Sequence, residues 1–432
     1  MLFIHGSLAM GGIETFFVRM AKQRAIEGKK TYFLLLSPEK RCDKGLLSNA
    51  RQYAEVYFLQ DICALPTWIT DYMPLHLALI LPLKSSAQAL FRQVDHVHVA
   101  NGICAHFFMC LSRILPANVK FTLGLYHSLE YCWGDSKLPY YERANREFFF
   151  NELNKQSIYF FNESMVPLYE SVSKQSFQAV NLFPLGVVEN KTIAEPRKKT
   201  QDKTLRLVSV GRLVPFKTYN FHMLDVVADL MSKGVSITYD IYGDGPCKMQ
   251  LQEKITSLSL DKVVCLKGLL NYSKFSDVVS CYDIFIGSGT AIVEASSLGT
   301  CAIVGIEHVE HAVSYGFIAD LPGFSYNEDG LHPRQPIAKF IEHYLSLSAE
   351  DLQRLKEKHM EKAALFSLEQ CVYNFEKSPH LCIPVQVSKA RSKWLFRIKY
   401  AVSLFFTSVL AKMRGSSLSQ QVLQTQVEKQ IC

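Results

Sequence analysis

Residues 205–217 read LRLVSVGRLVPFK, from Leu205 to Lys217. Leu205–Val210 is an apolar, β-branched run that reads as a buried strand. Gly211 then lets the backbone turn sharply at the strand's end. Arg212 and Lys217 follow, which sets two cations at the carboxyl edge of a sheet, close to the start of the next helix. Such a pair suits a diphosphate. A solvated basic loop is the plain alternative.

Beyond this stretch the chain alternates. A helix over Asn220–Lys233 stops at Gly234, and a strand over Val235–Tyr242 precedes a helix over Cys247–Leu258. Further strands are expected at Val263–Lys267, Asp283–Ile286 and Cys301–Val304, with helices over Ser273–Cys281 and Thr290–Leu298 between them. This is the pattern of a doubly wound parallel sheet, and ligands of such sheets sit at the carboxyl ends of the strands.

The first half shows the same alternation. Leu2–His5 is a short apolar run, and a loop with Gly11-Gly12 leads to a helix over Glu14–Glu27. Thr31–Leu36 is continuously apolar, as a strand buried on both faces would be. Val94–Ala100, Val119–Tyr126 and Ser157–Phe161 are further strands. The polar stretch ENKTIAEPRKKTQDK (Glu189–Lys203) separates the halves. The expected organisation is therefore a Rossmann-like domain over 1–187, a linker over 188–203, a second Rossmann-like domain over 204–378 and a tail over 379–432.

With 432 residues, 48% apolar and 20% charged, the chain has material for two or three domains and is not globally disordered. Its net charge of +7 is local. Residues 385–432 hold eight bases (Lys389, Arg391, Lys393, Arg397, Lys399, Lys412, Arg414 and Lys429) against Glu428 alone, so the preceding residues are neutral overall. A neutral body gives no reason to expect nucleic-acid binding. The 12 Cys are scattered without CxxC or zinc-ligand spacing. With no signal-peptide pattern at the N-terminus, a reducing cytoplasm is the expected location. No uninterrupted apolar run reaches the length of a spanning helix, and Tyr400–Ala411 is too short by that measure.

Two more strand ends carry glycines. Tyr242-Gly243-Asp244-Gly245-Pro246 is a Gly-rich turn with Pro at the first helical turn, and a simple turn explains it as well as a site does. In Ile286-Gly287-Ser288-Gly289-Thr290-Ala291-Ile292-Val293-Glu294, a strand end exposes amides before a helix whose N-terminus can bind phosphate or sugar oxygens. Glu294, one turn in, could accept hydrogen bonds from two ribose hydroxyls. It could also simply match the helix dipole.

Taken in order, these segments resemble the C-terminal domain of the GT-B glycosyltransferases, family 4 in particular. The matching pieces are Gly211-Arg212-Leu213 with Lys217, Gly243-Asp244-Gly245-Pro246, and Glu294-Ala295 with Gly299. The N-terminal half adds Gly11-Gly12-Ile13-Glu14, His127 after an apolar strand, and Pro184-Leu185-Gly186-Val187 before the linker. The resemblance covers roughly residues 1 to 375. It implies an α/β fold of two Rossmann-like domains facing a cleft, and a sugar transferred from a nucleotide-sugar. It assigns Arg212 and Lys217 to the donor diphosphate, Glu294 to the ribose, and the amides of Gly287, Ser288 and Gly289 to the donor sugar or phosphate. Gly11 and Gly12 would allow close approach to the donor, and His127 would contact the donor sugar near its reacting carbon. One departure is plain. The family often has Glu-x7-Glu, and the position of its first acid is Ile286 here.

The family retains anomeric configuration, and no metal or other cofactor is expected if Arg212 and Lys217 neutralise the leaving diphosphate. No Asp-x-Asp pair is present to suggest a metal-bound diphosphate. The implied partners are a nucleotide-sugar donor and a glycan or lipid-linked acceptor, in surface-polysaccharide synthesis such as O-antigen or capsule. The rivals are a non-catalytic glycan-binding scaffold that has kept the fold, supported by Ile286, and a sugar-nucleotide epimerase, whose acid and His cluster is not found. The tail KARSKWLFRIKYAVSLFFTSVLAKMR (Lys389–Arg414) interleaves aromatics with bases. It reads as a basic amphipathic helix for an anionic membrane surface, or as a helix packed back on the protein.

Overall fold

The computed structural model describes residues 1–413 except 73, 112–113, 134–137, 190–203, 272–273, 328, 379–381 and 384. The expected linker, from residue 190 on, and Arg414 and Lys429 of the basic tail lie outside the described residues. The chain forms two compact units, one of residues 1–184 with 372–432 and one of residues 185–371.

The first unit holds a seven-stranded sheet. Its strands are β1 (Leu2–His5), β2 (Tyr32–Leu35), β3 (Glu55–Phe58), β4 (His96–Val99), β5 (Lys120–Leu125), β6 (Ile158–Phe160) and β7 (Asn181–Leu182). They run in the order 3-2-1-4-5-6-7, and every pairing is parallel. The order reverses between β1 and β4, which makes their carboxyl ends the switch point where such folds bind ligands. β1, β2 and β4 are buried along their whole length, as a central parallel strand covered on both faces must be.

This core is strongly aromatic. Phe3 stacks on Phe17 at 4.5 Å between centroids, and Phe375 packs against His98 at 4.9 Å and Tyr159 at 4.8 Å. β4 reads His-Val-His-Val, and both histidines are buried. The Thr122 hydroxyl serves both rings, at 2.6 Å from His96 Nε2 and 2.8 Å from His98 Nδ1. Burial drives His98 down to about 3, so it stays neutral.

The second unit holds a five-stranded parallel sheet of β8 (Leu205–Val210), β9 (Ile237–Tyr242), β10 (Val264–Gly268), β11 (Ile284–Gly287) and β12 (Cys301–Val304). The order is 10-9-8-11-12, with its switch point between β8 and β11. The core is mostly aliphatic, built on residues such as Leu207, Val227, Ile241, Ile284 and Ile303. Helices Tyr219–Ser232, Lys248–Ser257 and Thr290–Ser297 lie within two residues of their expected bounds. The helix expected over Ser273–Cys281 is shorter, Phe275–Val279. A small antiparallel pair, Val313–Ser314 with Gln335–Pro336, had no strand pattern in the sequence to announce it.

The expected domain limits shift. Residues 185–188 belong with the second unit, where Val187 and Val188 donate to the Phe366 carbonyl. Helix Leu368–Lys377 carries the chain back, and everything after Cys371 counts with the first unit. The tail is therefore not a separate segment. Helix Trp394–Met413 packs on helix Tyr140–Glu147 and on the 3-10 segment Leu75–Ile80. Its Tyr400 is buried and donates to Asn145 Oδ1 at 2.8 Å, and the Tyr141 amide donates to Ser403 Oγ at 3.1 Å. Two of the tail's bases are taken up internally. Arg391 forks onto Glu152 at 2.9 and 2.5 Å, and Arg397 donates to the carbonyls of Leu79 and Leu81. The 20-residue helix outruns the apolar stretch legible in the sequence, and its length and mean hydropathy of 1.3 would allow it to cross a membrane.

Candidate active site

The loop after β8 is built against the loop after β9. Gly211 donates to the Tyr242 carbonyl at 3.0 Å, Leu213 to Asp244 at 3.0 Å, and Cys247 to Leu213 at 3.1 Å. Gly243 and Gly245 adopt φ of +150° and +155°. A Cβ on Gly243 would lie 1.9 Å from the Gly211 carbonyl oxygen, and one on Gly245 would lie 2.3 Å from that of Leu213. The Gly-Asp-Gly sequence is thus more than a turn. It is the backing on which the Gly-Arg-Leu loop rests.

Lys217 closes a turn on Val214 and is half-buried. Its Nζ folds back so that a Cβ on Gly211 would sit 3.1 Å away. Among the described residues no carboxylate lies within 4.0 Å of Lys217 or of the exposed Arg212. Burial holds the Lys217 ammonium below the usual lysine range; the Glu307 charge opposes this and the Arg212 charge adds to it. Two cations with no carboxylate in salt-bridge reach among the described residues, one of them partly desolvated, suit an anionic ligand.

The loop after β11 completes this edge. Ser288 is buried, and its Oγ donates to Glu307 Oε1 at 2.7 Å. Gly289, at φ +67°, caps helix Thr290–Ser297. Its N–H is taken by Asn327 Oδ1 at 2.7 Å, and its carbonyl accepts from the Tyr326 hydroxyl at 3.0 Å. The expectation that Gly289 presents an open amide is therefore corrected, because an Asn side chain uses it. Gly287 serves packing, since a Cβ there would meet the Phe285 ring at 2.7 Å. Glu294 stands half-buried in the helix. Glu307 and Asn327 were not singled out in the sequence. The available signal was Gly305 ending an apolar strand with an acid two residues on.

In the first unit, β1 leads to Gly11, the N-cap of helix Gly12–Ile26. A Cβ on Gly11 would come within 2.3 Å of Glu14 Oε2, whereas Gly12 has open space around it. Gly11 thus makes room for Glu14, whose Oε1 is 3.0 Å from His5 Nε2. Burial works to raise the Glu14 carboxyl. The bonds from His5 and from its own backbone outweigh that and hold it below the usual range.

His127 follows β5 and is half-buried, and burial lowers its pKa. Its Nδ1 accepts from the Leu129 amide at 3.2 Å. The neutral ring then carries its proton on Nε2, a fixed donor. Tyr126 beside it bonds His98 Nε2 through its hydroxyl at 2.9 Å. Three residues on, burial and the Glu142 charge push Glu130 up to about 8.

Among solved structures, a glycosyltransferase from Rickettsia africae matches at TM-score 0.59 and 15% identity, covering 91% of this chain and 98% of that one. TarM matches at 0.59 and 10%, covering 87% and 97%. The lipopolysaccharide outer core galactosyltransferase WaaB matches at 0.54 and 13%, covering 88% and 99%. No family model matches the chain. Among curated proteins, the phosphatidylinositol N-acetylglucosaminyltransferase GPI3 subunit of Saccharomyces cerevisiae is 31% identical over 112 residues. That match spans 24% of each chain, about a quarter of the relative's length. The fold is that of the GT-B glycosyltransferases, and the chain resembles family 4 among them.

Proposed function

We propose that this protein is a retaining glycosyltransferase that moves a sugar from a nucleotide-sugar donor to a glycan or lipid-linked acceptor in surface-polysaccharide synthesis. The observation that carries the reading is the pair Arg212 and Lys217, with no carboxylate within 4.0 Å among the described residues, at the switch point of the second sheet. In the reaction, the bond from the anomeric carbon to the donor phosphate oxygen breaks. A bond to the acceptor hydroxyl oxygen forms, and the acceptor's proton passes to the departing diphosphate. Charge grows on that diphosphate, and fixed cations stabilise it most when it is fully formed. Arg212 and Lys217 do this work, in place of a metal. Glu294 holds the ribose.

The C-terminal helix supports a membrane-side acceptor. Leu395, Val402, Phe406, Val409 and Met413 are exposed at helical spacing, with Lys399 among them and Lys389, Lys393 and Lys412 exposed nearby. An apolar stripe bordered by lysines fits an anionic lipid surface from the cytoplasmic side. The test is release of nucleoside diphosphate from UDP-, GDP- and dTDP-sugars. Acceptor-dependent release is the expected result, and donor binding without turnover would instead mark a scaffold.

A further inference from the structure

We infer that Glu307 contacts the transferred sugar of the donor, accepting hydrogen bonds from its hydroxyl or amide N–H groups. The inference rests on the glycosyltransferase reading and deepens it. Three features of the second unit carry it.

The first is placement. Glu307 lies in the loop after β12, the strand beside β11, and this loop is tied to both cation- and glycine-bearing loops. Gly305 donates to the Gly287 carbonyl at 2.8 Å, and His308 donates to the Phe216 carbonyl at 2.8 Å. Glu307 itself donates its N–H to the Asn327 carbonyl at 3.1 Å. The close fit needs glycine at 305, where a Cβ would meet the Tyr219 ring at 2.6 Å.

The second is strain. His308 holds φ of +61°, a left-handed conformation that costs a non-glycine residue free energy. Its ring stacks on Phe216 at 5.6 Å, which helps hold it there. A strained residue held to Phe216 through both its backbone and its ring keeps its neighbour's side chain in one place.

The third is chemistry. Ser288 Oγ aims the carboxylate from 2.7 Å and, among the described residues, is its one hydrogen-bond donor. Lys217 feels its charge without pairing to it. An anion beside a diphosphate-binding cation repels phosphate oxygens, so it is a poor ligand for the diphosphate itself. It needs a neutral donor group, and a nucleotide-sugar carries those on its sugars. The transferred sugar is bonded to the terminal phosphate, whereas the ribose stands one phosphate further away. β11 cannot supply the same group, because Ile284, Phe285 and Ile286 are all fully buried and apolar.

The experiment compares calorimetric affinities for UDP against UDP-glucose and UDP-N-acetylglucosamine, and for GDP against GDP-mannose, in the wild type and in Glu307→Gln. The wild type is expected to bind one nucleotide-sugar more tightly than its diphosphate. In Glu307→Gln the diphosphate affinity stays within about twofold and the sugar's increment falls about tenfold or more, with kcat falling alongside. Glu307→Asp keeps the charge but withdraws it by one methylene and should lose the same increment, which guards against a folding defect in one variant. Equal weakening for diphosphate and nucleotide-sugar, or no weakening, overturns the inference and leaves Glu307 a partner of Ser288 alone. A wild type that binds none of these nucleotides, nor dTDP, removes the glycosyltransferase reading itself.

Discussion

At the carboxyl edge of the seven-stranded sheet the polar groups close on one another. His5 meets Glu14, His98 meets Tyr126, and His127 accepts from the Leu129 amide. At the edge of the five-stranded sheet, Arg212 and Lys217 find no such partner among the described residues. Both sheets are parallel and both reverse strand order about their first strand. What differs is the loops. The first edge ties most of its polar groups to one another, while the second holds a partly desolvated lysine whose charge an anion would balance. Binding sites of this kind are built at some expense to the empty protein.

The comparison breaks most visibly at Lys217. Lys217→Ala should lower transfer by about 10²–10³-fold while leaving the fold intact. Wild-type turnover in that variant would remove the site assignment. The protonated ammonium is the binding form, and burial holds it below the usual lysine range. Donor affinity should therefore fall as pH rises through that lowered value, earlier than an ordinary lysine would allow. Lys217→Arg, which keeps its charge at all accessible pH, should abolish this alkaline limb.

Next in size is the glycine contrast. Gly243→Ala drives a Cβ into the Gly211 carbonyl and should cost about 2–4 kcal/mol in urea unfolding. Gly12→Ala, with open space around it, should unfold within about 0.5 kcal/mol of wild type. A milder Gly243 effect would mean that the two loops are not buttressed as described.

On the C-terminal helix, Phe406→Glu with Leu410→Glu places two acids on the exposed stripe. Sedimentation with phosphatidylserine vesicles should drop about tenfold. Unchanged sedimentation would reassign the stripe.

The smallest effect belongs to Glu130 in the first unit, whose carboxyl is pushed up to about 8. The folded chain keeps that proton to higher pH than the unfolded chain, so the stability it confers is present at acid pH. It is lost as pH climbs from the usual carboxylate range through about 8. Glu130→Gln cannot ionise and should melt roughly 2–4 °C higher than wild type near pH 9, with little difference at low pH. Parallel pH profiles for the two proteins would contradict the buried-acid description.

The architecture was largely legible because apolar runs and glycine stops mark parallel strands and their following helices. Leu205–Val210, Cys301–Val304 and helix Tyr219–Ser232 stand within a residue or so of expectation. The two cations were legible for the same reason, since they follow directly from a strand end. The partners that shape them were not. Asn327 reaches Gly289 from 38 residues away, and Glu307 reaches Ser288 from 19. Contacts at such separation leave no periodic trace. The limits of the first unit were also hidden, because Phe375 and Tyr400 enter its core from beyond the second unit.

That return of the chain bears on the order of events at the ribosome. The first sheet emerges early, but helix Trp394–Met413 of the same unit, with the Tyr400–Asn145 bond, is synthesised after the whole second unit. The second unit can close on its own contiguous residues while the first waits uncovered, its apolar flank available to chaperones or to lipid. Truncations near residue 385 would therefore strike the stability of the half made first, and a loss of membrane binding in such a protein would report misfolding as readily as a missing anchor.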